Sequence, residues 1–423
     1  MKDREIKKLA NGLALINIKV PNSKTATILV MVKTGSKYEA RENNGISHFL
    51  EHVMFKGTIK RPNALALASD LDALGGEYNA FTTKEYTGYY IKVETSHLWQ
   101  AAEILSDMVI NSKFDAAEIE KEKGVIIEEI NMYEDDPRSS LEDVWETALY
   151  GDTPAGWEVI GTKENIRGFN RQHFLDYYRS QYVAGNSFIC VAGDVSTKLV
   201  ETKLTQLFKS FPQGKQHEKL AVIEKQIKPA VKVKTKKTDQ MHMSLGVRIG
   251  LAEDKLAPAW RLLALVLGGS MSSRLFVNLR ERRGLAYYVR TSTEFLTDSA
   301  YLTTSAGIRS EEVELAVKII MQEYRKLTRE LVPLAELNRA KDIYRGRLLI
   351  GLESSDQLAY FYAKQLVVQG KTESPDQIWQ SLKQVTAADI RRAAKAVFKN
   401  GGLNLAIIGQ GIDEIKMQKL LKF

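Results

Sequence analysis

The chain repeats one order of predicted strands and helices on either side of a polar stretch near its middle. The first half shows two alternating strands, two helices, a strand pair, further helices and a closing strand. The second half resumes with strands through MSLGVRIG, the helix APAWRLLALVLGG, the segment SSRLFVNLRERRG, the strands YYVRTSTEF and YLTTSAGI, two helices and the strand LNLAIIGQG. A matched order of elements indicates duplication of one domain, even where residue identity has been lost.

Hairpin-like strand pairs in both halves predict an α+β fold rather than a fully parallel sheet. We expect two homologous domains, each a mostly antiparallel β-sheet with helices packed over one face. The polar PQGKQHEK and the lysine-rich KPAVKVKTKK mark the boundary between them. The predicted domains are therefore 1–212 and 231–423, joined by a linker at 213–230.

Composition argues against several classes of protein. Apolar runs such as 262–267 are far shorter than the roughly 20 residues that cross a bilayer, and the charged N-terminus lacks the apolar core of a signal peptide. The single cysteine, Cys190, lies in a predicted buried strand and has no partner for an internal disulfide. We expect a cytoplasmic protein without a membrane partner.

The net charge of +8 is unevenly distributed along the chain. Residues 1–215 carry 26 Lys and Arg against 30 Asp and Glu, a balance of −4, which leaves 34 against 22, or +12, for the rest. The basic half has no aromatic-rich binding motif, so we expect no nucleic-acid partner. Acidic residues are densest at 101–150, with 14 acidic against 4 basic side chains, which favours a basic or neutral partner there.

The segment HFLEH places His48, Glu51 and His52 on one face of a predicted helix, because each residue turns the helix by about 100°. The opposite face carries apolar residues that would pack against a sheet: Ile46, Phe49, Leu50 and Val53. Two imidazoles one turn apart can bind one zinc ion, which also accepts a carboxylate ligand. The alternative is a pair of exposed helix histidines without a metal.

A second predicted helix, EIEKEKGVIIEEINMY, supplies a candidate third ligand. Its apolar arc consists of Ile119, Val125, Ile126, Ile130 and Tyr133. Glu122 and Glu129 lie within that arc, about 20° apart, whereas Glu128 faces about 100° away from Glu129. A buried carboxylate needs a cation or a metal, so we predict Glu129 as ligand and Glu122 as the group that orients a ligand. Salt bridges to Lys or Arg are the alternative for both.

An HFLEH helix followed by a glutamate 77 positions after its second histidine resembles the pitrilysin and insulinase family of zinc peptidases, whose motif reverses the commoner HExxH order. The resemblance covers nearly the whole chain and includes GGEYNAFTTKEYTGYY, EINMYEDDP and SSRLFVNLRERRGLAYYV. It is strongest to bacterial relatives of the mitochondrial processing peptidase beta subunit. The resemblance implies a zinc endopeptidase with one Zn²⁺ per chain bound by His48, His52 and Glu129, Glu51 as general base and Glu122 as supporting carboxylate.

The resemblance also implies where substrate binds. Asn79, Ala80 and Phe81 would lie on an edge strand that receives a peptide or an unfolded polypeptide segment, and Arg280 and Tyr287 would complete the site from the second half. A surface arginine and a packed tyrosine are the alternative for the last two residues.

Family members enclose a chamber with four such domains, so the resemblance implies a clamshell of two chains. We expect a homodimer in which Arg280 and Tyr287 of one chain serve the zinc of the other, or a heterodimer with a homologous subunit. The rival function is a non-catalytic structural subunit related to respiratory-complex core proteins, in which the metal motif is typically degraded. A binding protein that keeps zinc only for stability is the other rival.

Overall fold

The computed structural model describes residues 4–215 and 217–423. The strands are β1 (Arg4–Lys8), β2 (Ala14–Lys19), β3 (Thr25–Val32), β4 (Glu77–Thr82), β5 (Thr87–Glu94), β6 (Ser187–Gly193), β7 (Ala230–Thr235), β8 (Met241–Arg248), β9 (Ala286–Phe295), β10 (Ala300–Ile308) and β11 (Leu403–Gly409). The α-helices are α1 (Ile46–Val53), α2 (Ala64–Asp72), α3 (Leu98–Asn111), α4 (Ala116–Asp135), α5 (Leu141–Tyr150), α6 (Lys163–Gly168), α7 (Arg171–Gln181), α8 (Thr197–Leu207), α9 (Ala257–Gly268), α10 (Val313–Arg329), α11 (Leu334–Ile350), α12 (Ser355–Gln369), α13 (Pro375–Lys383), α14 (Ala387–Val397) and α15 (Glu414–Leu420). A π-helix spans Phe276–Glu281. Within the described ranges, every helix is too short or too polar to span a bilayer.

The chain folds into two compact units that exchange one helix each. The first unit, called unit 1, consists of Met1–Asn131, Trp157–Leu220 and Ile350–Thr372, and unit 2 consists of Met132–Gly156, Ala221–Leu349 and Glu373–Phe423. Helix α5 therefore belongs to unit 2, and α12 belongs to unit 1. This exchange departs from the contiguous ranges expected at 1–212 and 231–423, because the periodicity of a helix does not reveal which sheet it covers.

Unit 1 is built on a six-stranded sheet in the order β1-β2-β6-β3-β5-β4. Only the β2–β6 pairing is parallel, and β4 lies at one edge. Alternate residues of β3 face opposite sides of the sheet. Ile28 and Val30 pack with α1, α3, α7 and α8, whereas Leu29 and Met31 pack with α12. Helices thus cover both faces, and Cys190 is buried in β6.

Unit 2 is built on a five-stranded sheet in the order β7-β11-β8-β10-β9. The β7–β11 pairing is parallel and the other pairings are antiparallel. Ala406 and Ile408 of β11 face α5, so Leu405 and Ile407 face the opposite side, where they are also buried. The exchanged helix α5 therefore covers one face of this sheet.

The two sheets match strand for strand: β2, β6, β3, β5 and β4 correspond to β7, β11, β8, β10 and β9. The structure confirms the predicted α+β class with mostly antiparallel sheets, and it adds the exchanged helix on the second face of each sheet. The expectation of two helices between YLTTSAGI and the last strand was wrong, since five helices, α10–α14, lie there. Part of the lysine-rich KPAVKVKTKK, which was assigned to the domain boundary, forms the edge strand β7. Lysines on an edge strand oppose pairing with other chains.

Candidate active site

Helix α1 holds the HFLEH residues in a fixed orientation. The Glu39 carboxylate accepts hydrogen bonds from the backbone N–H groups of Gly45 and Ser47, each at 2.8 Å, at the start of the helix. Gly45 has φ of 99°, and an added Cβ would lie 2.7 Å from the Ile160 carbonyl oxygen, so only glycine fits there. The four apolar residues predicted to pack inward are buried: Ile46, Phe49, Leu50 and Val53. Packing on that side leaves His48, Glu51 and His52 on the open side.

Helix α4 directs two carboxylates towards α1. Glu122 is buried and Glu129 is partly buried, whereas Glu128 is exposed as predicted. The predicted apolar arc was wrong at two positions, because Val125 and Tyr133 are 53% and 40% exposed. The inner stripe of α4 is therefore narrower than its apolar residues suggested, and the two acids make up much of it.

The side chains of His48, His52 and Glu129 converge on one point. The Glu129 carboxylate oxygens lie 3.7 Å from His48 Nε2 and 3.5 Å from His52 Nε2, and one ligand atom from each residue lies within 4.8 Å of the others. These separations are too long for hydrogen bonds. They are close to the edge of about 3.3 Å that a tetrahedron with zinc–ligand bonds of about 2.0–2.1 Å would have. The three residues therefore fit a zinc ion.

Glu122 lies behind His52 rather than at the metal position. Its Oε1 accepts a hydrogen bond from His52 Nδ1 at 2.9 Å, and its Oε2 lies 2.6 Å from Lys56 Nζ. Burial alone would raise the pKa of Glu122, but the hydrogen bonds from His52 and Lys56 outweigh it and hold that pKa below its usual value. A carboxylate in this place fixes the His52 tautomer, with Nε2 free for a metal.

His48 lacks such a supporting group. Its Nδ1 is buried and has no hydrogen-bond partner among the described residues. Burial, with a smaller contribution from His52, lowers the pKa of His48 to about 3. The neutral imidazole is the form that binds a metal.

Glu51 faces the same space and is held by strand β4. The Thr82 hydroxyl donates a hydrogen bond to Glu51 Oε2 at 2.5 Å. Burial raises the pKa of Glu51, and the hydrogen bond from Thr82 opposes part of that rise. Sequence reasoning missed Thr82, although it directly follows the predicted substrate residues Asn79, Ala80 and Phe81.

Those three residues lie on the edge strand β4, whose other side is unpaired among the described strands. Asn79 is exposed, and the Phe81 ring packs 5.3 Å from the Tyr360 ring of α12. Gly88 on β5 makes room for Phe81, because an added Cβ would lie 2.3 Å from the Phe81 ring. The strand therefore has a fixed inner side and an open hydrogen-bonding edge.

Arg280 and Tyr287 lie together in unit 2. The Arg280 guanidinium stands 5.1 Å from the Phe276 ring and 5.9 Å from the Tyr287 ring, and Tyr287 is 70% exposed. Arg280 lies on the π-helix, a rare element that often marks functional sites. The Arg274 fork binds both carboxylate oxygens of Glu336 at 2.8 Å and anchors the start of this segment.

Comparison with known protein families covers most of the chain. Residues 15–163 match the family described as "Insulinase (Peptidase family M16)", and residues 168–344 match "Peptidase M16 inactive domain". An uncharacterized zinc protease of Bacillus subtilis is 35% identical over 392 residues, 92% of this chain and 94% of the relative. One from Rickettsia felis is 34% identical over 397 residues, 93% of this chain and 95% of the relative.

Solved structures share the fold. A protease from Helicobacter pylori superimposes with a TM-score of 0.89 at 24% identity, over 96% of this chain and 99% of that one. A chain of complex III2 from Candida albicans superimposes with a TM-score of 0.83 at 16% identity, over 99% of this chain and 100% of that one. Together with the sequence matches, these likenesses confirm the predicted family: the chain belongs to the insulinase family of M16 peptidases.

Proposed function

We propose that this chain is a zinc-dependent endopeptidase that cleaves peptides or unfolded polypeptide segments. The observation that supports it best is the convergence of His48, His52 and Glu129 on one point, with the Glu51 carboxylate on the same face of α1. The relatives named as zinc proteases support the same metal and reaction.

Glu51 is suited to move the proton that peptide hydrolysis requires. Its Oε2 is held by Thr82, and its Oε1 has no hydrogen bond among the described residues, so Oε1 can accept a proton from the attacking water and return it to the departing amine. A zinc ion bound by His48, His52 and Glu129 would polarise the peptide carbonyl and lower the pKa of a bound water. Burial of Glu51 favours proton transfer near neutral pH, because it raises the pKa of this base.

The open edge of β4 supports an extended peptide as substrate. A peptide that adds to this edge would be recognised through its backbone, with little demand on its side chains. A segment must be locally unfolded to pair in this way, so stably folded proteins should resist cleavage. Asn79, Ala80 and Phe81 are the residues that would receive it.

Arg280 and Tyr287 are the proposed hydrogen-bond donors to the substrate carbonyl or to the oxyanion that forms from it. In the proposed homodimer, the pair from one chain serves the zinc of the other; a heterodimer with a homologous subunit would work in the same way. Mixing a His48→Ala variant with an Arg280→Ala variant should then restore activity through hybrid dimers. No recovery after subunit exchange would contradict this arrangement.

The direct test is to incubate purified protein with a mixed peptide library, with and without a chelator, and to identify fragments by mass spectrometry. We expect fragments that disappear on chelation and return with zinc. Glu51→Gln should retain zinc and lose cleavage, whereas the control Glu128→Gln should behave like wild type. If the wild-type chain binds zinc and yields no fragments, a structural or zinc-stabilised binding role replaces the proposal.

A further inference from the structure

Lys56 lies in the turn that follows α1, four residues after His52. Its backbone N–H donates to the Val53 carbonyl oxygen at 3.0 Å, which ties the turn to the helix end. Gly57 follows with φ of 117°, and an added Cβ would lie 2.8 Å from the Asn63 backbone nitrogen. The chain therefore leaves α1 by one fixed route, which sets the position of the Lys56 side chain.

The Lys56 ammonium group contacts the carboxylate that supports His52. Lys56 Nζ lies 2.6 Å from Glu122 Oε2, while the other oxygen of Glu122 accepts the hydrogen bond from His52 at 2.9 Å. The Glu122 side chain is only 7% exposed, so water cannot readily replace Lys56 as a donor. Without Lys56, one oxygen of a buried carboxylate would lose its partner, and the carboxylate would be free to turn.

The charges around the site also favour a cation beside Glu122. Three carboxylates, those of Glu51, Glu122 and Glu129, face or support the metal position. Burying a carboxylate without a compensating charge is costly. Lys56 is the cation that contacts the Glu122 carboxylate.

We propose that Lys56 is a positioning residue for zinc binding: its ammonium group holds Glu122 against His52 Nδ1, so that His52 Nε2 stays directed at the metal. The inference rests on the zinc site of the proposed function, but it does not depend on peptide cleavage. The four residues form one chain of contacts, from Lys56 through Glu122 and His52 to the metal position beside Glu129.

Zinc affinity of the full-length chain, measured by competition with a chromophoric chelator and without substrate, tests this role. Lys56→Met should weaken zinc binding about ten-fold or more, as is usual for groups that orient metal ligands. Lys60→Met is the matched control, because Lys60 lies in the same loop and pairs with Glu103 instead. We expect its zinc affinity to equal that of wild type.

A double-mutant cycle shows whether Lys56 acts through Glu122. Once Glu122→Gln is present, Lys56→Met should cause little further loss, because the two residues form one unit. Wild-type zinc affinity in Lys56→Met, or losses that simply add, would overturn the proposal. If thermal unfolding shows that Lys56→Met disrupts the metal-free fold, Lys56→Gln is used instead, and the same loss of zinc affinity is expected. A wild-type chain that binds zinc but cleaves nothing would refute the proposed peptidase and leave this inference standing.

Discussion

Units 1 and 2 share one sheet plan, but among the described residues only unit 1 contains a cluster that fits a metal. In unit 1, the helix after β3 is α1, whose open face carries His48, Glu51 and His52. In unit 2, the corresponding helix after β8 is α9, APAWRLLALVLG, which has no histidine or acid and is buried along most of its length. The same sheet plan therefore carries a cluster that fits a metal in one unit and a packing helix at the corresponding place in the other, so the cluster depends on a few side chains rather than on the fold.

The second helices after β5 and β10, α4 and α11, also differ between the two units. Helix α4 carries Glu122 and Glu129 on its inner stripe, whereas the corresponding α11 buries only Leu337 and Ala340 among its described residues. The distinctive pair of unit 2 is Arg280 with Tyr287, which offers hydrogen-bond donors instead of metal ligands. We propose that the duplication divided the work: unit 1 binds the metal and receives the peptide on β4, and unit 2 supplies the donors to the substrate carbonyl.

The largest expected effect concerns Glu129, the proposed metal ligand on α4. Glu129→Ala should weaken zinc binding by more than about 100-fold, beyond the range seen for groups outside the ligand set. Glu128→Ala, at the exposed neighbouring position, should leave zinc affinity unchanged. Titration of the metal-free variants with zinc provides the measurement. Tight zinc binding by Glu129→Ala would contradict the proposal that Glu129 is a metal ligand and that unit 1 is distinguished by its zinc site.

The exchanged helix α5 offers a test of the structural comparison. Leu149 is 4% exposed and packs in the cluster that α5 forms on the sheet of unit 2. Leu149→Ala should lower the free energy of unfolding by about 2–5 kcal/mol, because it opens a cavity in that cluster. Leu349→Ala is the control, since Leu349 is 52% exposed on α11. Equal denaturation midpoints for the two variants would contradict the packing of α5 described above.

Arg280→Ala sharpens the proposed division of work. The variant should bind zinc like wild type but lose about 3 kcal/mol of transition-state stabilisation, which lowers kcat/KM about 100-fold. Arg282→Ala, two residues away and likewise exposed, serves as the control. Steady-state kinetics on a peptide found in the library screen would measure the difference. Unchanged kinetics in Arg280→Ala would show that this exposed arginine has no role in catalysis.

The smallest expected effect is that of Thr82, which has no metal contact. Thr82→Val keeps the shape of the side chain and removes the hydroxyl that holds Glu51, so kcat should fall about ten-fold, as expected for the loss of a hydrogen bond to a charged group. Zinc affinity and KM should remain unchanged, and Thr82→Ser should retain most of the activity. A change in zinc affinity would show instead that Thr82 supports the fold of the site.

Local sequence patterns were sufficient to predict much of the site. The turn of α1 sets which residues share a face, so His48, Glu51 and His52 could be grouped from their spacing, and seven-residue spacing did the same for Glu122 and Glu129. The strand pair that forms β4 and β5 was equally local. In each case, residues close in sequence determine the geometry.

Contacts between distant segments could not be predicted in this way. Thr82 and Glu51 are 31 residues apart, and no periodicity links a threonine at a strand end to a helix glutamate. Lys56 was overlooked because its partner lies on α4. The exposure of Val125 and Tyr133 depends on what covers α4, and the exchange of α5 and α12 depends on which sheet each apolar stripe meets.

That exchange bears on how such a protein can be divided. A break between α8 and β7 would give two fragments. The first would contain α5, which covers the sheet of the second fragment, and the second would contain α12, which covers the sheet of the first. The amino-terminal fragment would leave the face of Ile16, Ile18, Leu29 and Met31 open to water, since α12 would be missing. Neither fragment should be soluble when produced alone, but the two should reassociate when produced together. A gene split at this point would therefore require that both fragments be synthesised at the same time.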